Sequence, residues 1–158
     1  MRSMILVLCL AVFGVACGQE DTPPATPTTE ATSPEPVSPA APGVTVATTE
    51  SDLGTILTDA EGRTLYVFLN DTEGESTCYD DCAQSWPALE TEGDAQAEEG
   101  VDASLLGTSE RQDGALQVTY NGMPLYYFAN DSGPGQTNGQ GVGDVWYVVS
   151  PEGEPVRG

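Results

Sequence analysis

Slid along itself by 60 positions, the chain matches itself without a gap between residues 51–98 and 111–158. Gly54 meets Gly114 and Gly62 meets Gly122. Leu65-Tyr66 meet Leu125-Tyr126, Phe68 meets Phe128, Asn70-Asp71 meet Asn130-Asp131, and Trp86 meets Trp146. Eleven of the 48 pairs are identical, and they concentrate on glycines, aromatics and aspartates, residues with special structural roles. A duplication constrains the fold more than any single residue does. What one copy forms the other must form, and about 115 residues beyond position 43 suffice for one domain with one core. The copies run over about 44–98 and 104–158.

Each copy reads as β-structure. In the second, Leu116, Val118 and Tyr120 alternate and share one strand face; Asn121-Gly122 follows, a strong signal for a two-residue hairpin turn; Pro124-Leu125-Tyr126-Tyr127-Phe128 returns. In the first, Thr55-Ile56-Leu57-Thr58 turns through Asp59-Ala60-Glu61-Gly62 into Thr64-Leu65-Tyr66-Val67-Phe68. Val44 to Thr49 supplies an opening strand, with a counterpart near Leu105-Leu106-Gly107-Thr108, and a further strand surrounds each Trp. Acidic Glu90 to Asp102 reads as an exposed loop with at most a short helical turn, and Pro134 to Gly143 as a long glycine-rich loop. The expected architecture is all-β, a compact sandwich or barrel built from two tandem pseudosymmetric repeats.

What precedes the repeats reads as an address and a spacer. Arg2 is followed by the uncharged, apolar stretch Met4 to Ala16, shorter than the roughly 20 residues a membrane-spanning helix needs. Residues 1–16 therefore read as a signal peptide. Gly14-Val15-Ala16-Cys17 resembles a bacterial lipobox, which makes Cys17 the expected lipidation site and the membrane an expected partner through that lipid. Residues 17–43 carry seven prolines among Thr, Ala, Ser and Glu, too little apolar surface to fold, and read as a disordered tether.

Charge removes whole classes of function. The chain has 25 acidic residues against four arginines, Arg2, Arg63, Arg111 and Arg157, with no His and no Lys. Nucleic-acid binding lacks its basic footprint. A His-based triad, a Schiff base and a His-ligated metal are likewise excluded. No catalytic residues, cofactor or metal site are expected.

Cys78 and Cys82, four apart in an exported chain, are expected to pair. On a helical turn this spacing puts Cα atoms about 6 Å apart, inside the disulfide range. The bridge reads as structural, with a redox-active pair as the alternative. Two thiolates without His make a poor zinc site.

Tyr66-Val67-Phe68-Leu69-Asn70-Asp71 and Tyr126-Tyr127-Phe128-Ala129-Asn130-Asp131 share the pattern Tyr-x-Phe-x-x-Asp. Together with Thr64-Leu65, Cys78-x-x-x-Cys82-x-x-x-Trp86-Pro87, Pro124-Leu125-Tyr126 and Trp146-Tyr147-Val148-Val149, it resembles a family of bacterial lipoproteins built from secreted repeats with a Yx(F/W/Y)xxD motif. The resemblance covers roughly 44–153. It implies an exported, lipid-anchored tandem-repeat domain of unknown function and supplies no catalytic residues.

The residues themselves suggest a structural role. Tyr66 with Phe68, and Tyr126 with Phe128, share strand faces and form a pseudosymmetric core with Trp86 and Trp146. Asp71 and Asp131 close turns by accepting backbone N–H bonds. In the sharper alternative, these aspartates bind a cation such as Ca²⁺ through the oxygen-rich run Asp71-Thr72-Glu73-Gly74-Glu75. The leading functional expectation is a non-enzymatic lipoprotein facing the cell exterior or periplasm, serving envelope structure or binding an envelope protein or ligand. The rivals are an extracellular redox or electron-transfer accessory, a Ca²⁺-binding module and, more remotely, a hydrolase using paired carboxylates.

Overall fold

The computed structural model describes residues 43–72 and 74–158. The expected signal peptide, Cys17 and nearly all of the expected tether lie outside the described residues. Among the described residues the fold is all-β apart from one short helix and a 3-10 turn, and its sheets pack as a sandwich with no closed barrel. Strands β1 (Thr45–Ser51) and β2 (Gly54–Asp59) form an antiparallel hairpin, and β3 (Tyr66–Phe68) follows. Helix α1 (Asp81–Ser85) leads to β4 (Glu90–Thr91) and β5 (Gln96–Ala97). The second copy repeats the plan with β6 (Leu106–Glu110), β7 (Leu116–Tyr120), β8 (Met123–Pro124) and β9 (Trp146–Val148).

Alternation along the inner strands builds two cores. Leu65, Val67 and Leu125 point into one, with Val46, Leu57, Val118 and Val149. Tyr66, Tyr126, Ile56, Trp86, Trp146 and Val148 point into the other. Strands covered on both faces explain the near-continuous apolar runs at 65–68 and 145–149. They also correct the expected one-faced strand at 116–120. Leu116 is exposed, while Gln117, Val118, Thr119 and Tyr120 are all buried, because both faces of β7 are covered.

The strands are exchanged between copies. β3 of the first copy pairs with β9 of the second: Tyr66 with Val148, Val67 with Tyr147, and Phe68 with Trp146. The mirror exchange runs through an Ala88–Tyr126 bridge, with Tyr127 N–H donating to Pro87 O and Ala129 N–H to Ser85 O. At the centre, Tyr66 and Tyr126 donate N–H bonds to each other's carbonyl, both at 2.9 Å, which marks the pseudo-twofold axis. The strand expected around each Trp forms fully only at Trp146. At Trp86 the next residue is Pro87, which has no N–H to give a ladder, so the pairing shrinks to a bridge.

Hydrogen bonding also corrects the gapless alignment. Leu57 N–H donates to Val149 O, and the matching bond on the other side is Val118 N–H to Leu89 O. Leu57 thus corresponds to Val118, one residue beyond a shift of 60. The extra residue enters at the β6–β7 turn, where Arg111 N–H bonds Ala115 O across Gln112, Asp113 and Gly114. Its β1–β2 counterpart has only Asp52 and Leu53 between Ser51 and Gly54. The residue is lost again at Asn121-Gly122, a two-residue turn with φ of 49° and 74°, against three residues between Asp59 and Arg63. Positive φ at both turn positions is what type I′ requires, and it is why Asn-Gly sits there. A one-residue slip would reverse the faces of β7, so the two turn lengths must compensate.

Glu90 to Asp102, expected to be a loop, holds β4 and β5. β4 pairs with β7, and β5 lies parallel to the start of β1. These strands are two residues long and exist because neighbouring edges offer them bonds; their own composition has little β preference. Because each copy completes the other, residues 44–98 or 104–158 expressed alone should lack a β spectrum by far-UV circular dichroism. Mixing the two fragments should restore it.

Candidate functional site

The motif residues gather at the pseudo-twofold axis, and their side chains bond across it. Tyr66 Oη donates to Asp131 Oδ2 at 2.6 Å, and Tyr126 Oη donates to Asp71 Oδ2 at 2.6 Å. Each Tyr-x-Phe-x-x-Asp motif is therefore satisfied by the other copy. The remaining carboxylate oxygens hold their own loops. Asp71 Oδ1 accepts from Thr77 N–H at 2.7 Å and Thr77 Oγ1 at 2.9 Å. Asp131 Oδ1 accepts from Asn138 N–H at 3.0 Å and Nδ2 at 2.9 Å. The expected turn-closing role is present, and the cross-copy tyrosine is an addition to it.

Burial, and then the hydrogen bond to Asp131, pushes the Tyr66 phenol far above its ordinary range. Burial and then Asp71 do the same to Tyr126. Tyr127 is raised by burial and then by its bond to buried Asp59 Oδ2 at 2.9 Å, which also pairs with Arg63 at 2.7 Å.

Above the tyrosines the large rings form a four-layer stack. Phe68 lies on Trp146 at 4.2 Å between centroids, Trp146 on Trp86 at 3.9 Å with planes 1° apart, and Trp86 on Phe128 at 4.3 Å. Phe68 stacks on the other copy's Trp, and so does Phe128. Tyr66 meets Trp86 edge-on at 5.4 Å, and Tyr126 meets Trp146 at 5.2 Å. Offset and edge-to-face contacts of this kind contribute roughly 0.5–1.5 kcal/mol each beyond area burial. Gly139 lies directly against the cluster; a Cβ there would sit 2.7 Å from Trp86 and 2.9 Å from Tyr66, so no side chain fits. This gives the glycine-rich loop a packing role that its composition did not reveal.

Cys78 and Cys82 form the expected disulfide, with Cα atoms 5.3 Å apart. Only Cys82 lies within α1. Cys78 precedes the helix, and the chain turns between them at Asp80, whose φ is 51°. This knuckle is held by a residue that sequence reasoning passed over. Arg111 is buried and donates to Ser76 Oγ at 3.0 Å, Gln117 Oε1 at 2.8 Å and Cys78 O at 3.1 Å. Its guanidinium also lies over the Tyr79 ring at 4.5 Å. A phenol has one proton, and that of Tyr126 goes to Asp71, so the Ser76 hydroxyl 2.7 Å away donates to Tyr126. Arg111, Ser76, Tyr126 and Asp71 thus form one continuous polar chain from knuckle to axis. The available signal was Arg111 itself, one of four cations in a chain of charge −21.

The arrangement leaves the motif little to offer a ligand. Both oxygens of Asp71 and of Asp131 already accept hydrogen bonds within the fold. Among the described residues no group of three or more Cys, Asp or Glu could hold a metal ion. The hollows beside the motifs are about 200 Å³, bordered by Phe128 and Asp131, and about 140 Å³, bordered by Phe68 and Asp71. Sites for drug-sized ligands are typically about 300–1,000 Å³. A larger open groove of about 570 Å³, between Val44, Glu90, Thr91 and Leu116, is lined by no motif residue.

Three outcomes follow. Tyr66→Phe and Tyr126→Phe should each lower unfolding free energy by roughly 1–3 kcal/mol in urea titration, since each leaves a carboxylate oxygen without its partner. Arg111→Met should cost roughly 2–5 kcal/mol by orphaning Ser76, Gln117 and the Cys78 carbonyl. The raised phenols set the pH dependence. Below the ordinary tyrosine value of 10.0 their contribution is fully present. Above it the unfolded chain releases protons that the folded chain keeps, so stability falls by about 1.4 kcal/mol per pH unit for each such phenol. Melting temperature should therefore drop steeply above pH 10, and less steeply in Tyr66→Phe/Tyr126→Phe.

A family model for a secreted repeat of unknown function matches the chain twice, over residues 47–90 and 107–150. Neither the curated proteins nor the solved structures hold a match. The two matched segments are offset by the period of the internal repeat, omit the linker between copies, and span more than half of the chain. The chain belongs to this family of secreted repeats of unknown function.

Proposed function

We propose that this protein is an exported, lipid-anchored, non-catalytic module that a proline-rich tether holds away from the membrane surface, with an envelope-structural or binding role. The observation that carries this reading is the closure of the motif on itself. The phenols of Tyr66 and Tyr126 and the carboxylates of Asp71 and Asp131 bond one another across the two copies. A motif spent in this way maintains a fold and presents no nucleophile, acid or base to a substrate. The secreted character of the family and the intact Cys78–Cys82 disulfide both suit an oxidising compartment outside the cytoplasm. Cys17, behind a short apolar stretch and ahead of seven prolines, supplies the anchor. A multiply acylated cysteine binds a membrane stably, because each buried CH₂ contributes about 0.8 kcal/mol.

Radiolabelled palmitate fed to cells producing the full chain should enter the wild-type protein and not Cys17→Ser, and only the wild type should partition with membranes. A wild-type protein that takes up no label and is recovered from the medium would remove the anchoring half of the proposal. Turnover by the purified domain in a broad glycosidase and esterase screen would remove the non-catalytic half.

A further inference from the structure

The aromatic cluster has a chemical property that packing alone does not require. Two indoles stacked at 3.9 Å with planes 1° apart can share the positive charge left when one of them loses an electron. Phe68 and Phe128 cover the two outer faces of the pair. Each indole touches a tyrosine edge-on, and each of those tyrosines already donates its proton to a carboxylate at 2.6 Å. The acceptor is anchored by two further donors and is held in line. A tyrosine is far easier to oxidise when its proton has somewhere to go. The two crossed pairs supply that proton acceptor in duplicate, in direct contact with the most readily oxidised rings of the core.

We propose that the Trp86–Trp146 pair, with Tyr66–Asp131 and Tyr126–Asp71, is a one-electron oxidation site that takes up oxidising equivalents from small radical oxidants such as peroxyl radicals. The oxidant removes one electron from the stacked indoles and is reduced to its anion. Tyr66 or Tyr126 returns an electron to the indoles, and its hydroxyl proton passes to Asp131 Oδ2 or Asp71 Oδ2. The products are the reduced oxidant, a neutral tyrosyl radical, a neutral carboxylic acid and a restored indole pair, so charge and protons balance. The site traps the hole at a buried phenol instead of at the disulfide or the backbone. Trp86 and Trp146 are only 5% and 4% exposed, so electrons reach a surface oxidant through the half-buried Phe68 and Phe128 edges, while bulky oxidants stay out of contact. The proposal does not depend on lipid anchoring.

Pulse radiolysis with the azide radical, which oxidises tryptophan, tests it on the folded full-length protein. The tryptophanyl absorption should decay as the tyrosyl absorption grows, with a first-order rate independent of protein concentration and slower in D₂O. Asp71→Asn/Asp131→Asn should slow that step about tenfold, the effect of one weakened charge-assisted hydrogen bond on a barrier. Tyr66→Phe/Tyr126→Phe should lose the intramolecular growth. Folding of each variant is checked by the circular dichroism couplet of the stacked indoles. If the aspartate variant fails to fold, the wild-type isotope effect and the tyrosine variant decide. A first-order tyrosyl growth coupled to tryptophanyl decay that persists in Tyr66→Phe/Tyr126→Phe, or a wild-type rate unchanged in D₂O, overturns the proposal.

Discussion

The pair of crossed hydrogen bonds between Tyr66 and Asp131 and between Tyr126 and Asp71 is the constraint on which the rest of the structure depends. Each bond places a buried phenol against a carboxylate of the other copy. The phenol cannot be left alone in the core without the cost of an unpaired polar group, and the half-buried carboxylate supplies its partner. With the reciprocal backbone bonds between Tyr66 and Tyr126, they fix the two copies at one register around one axis. The indole stack, the exchanged strands and the loop glycine against Trp86 all follow from that placement. A six-residue pattern that looks like a strand with a stop residue is in effect half of an interface.

The copies have diverged around this shared centre. In the first, the loop after Asp71 carries the disulfide knuckle, and Arg111 of the second copy clamps it through the Cys78 carbonyl and Ser76. In the second, the loop after Asp131 has no cysteines; it closes on Tyr66 and Trp86 through Gly139, whose N–H donates to Tyr66 Oη at 3.2 Å. One side is held by a covalent bridge and a buried cation, the other by close backbone approach. Arg63 also works within the fold, spanning Asp59 and the Tyr127 ring. Among the described residues Arg157 likewise lies over the Tyr147 ring at 5.8 Å, so three arginines serve internal contacts and most acidic side chains on the surface have no ion-pair partner. Such a surface repels its own copies and other acidic partners, most strongly at low salt.

The repeat, the hairpin turn at Asn121-Gly122 and the disulfide were legible because each rests on a local rule: self-similarity, positive φ, short spacing. The crossing was not. Self-similarity tells which residues are equivalent, and nothing in it tells whether Asp71 meets Tyr66 or Tyr126. The gapless match even pointed one residue off along β7, where Leu57 corresponds to Val118, since two turns of different length cancel within the alignment. β4 and β5 were unreadable because two-residue strands take their conformation from the edge that receives them. The burial of Arg111 left no local signal, because Ser76 and the Cys78 carbonyl that receive its guanidinium lie in the other copy.

A double-mutant cycle measures the crossing most directly. Tyr66→Phe and Asp131→Ala should be coupled by about 1 kcal/mol or more in unfolding free energy, because each removes the same hydrogen bond. Tyr66→Phe and Asp71→Ala, within one copy of the motif, should be additive to within about 0.5 kcal/mol. Coupling in the same-copy pair with additivity in the crossed pair would contradict the interlocked fold.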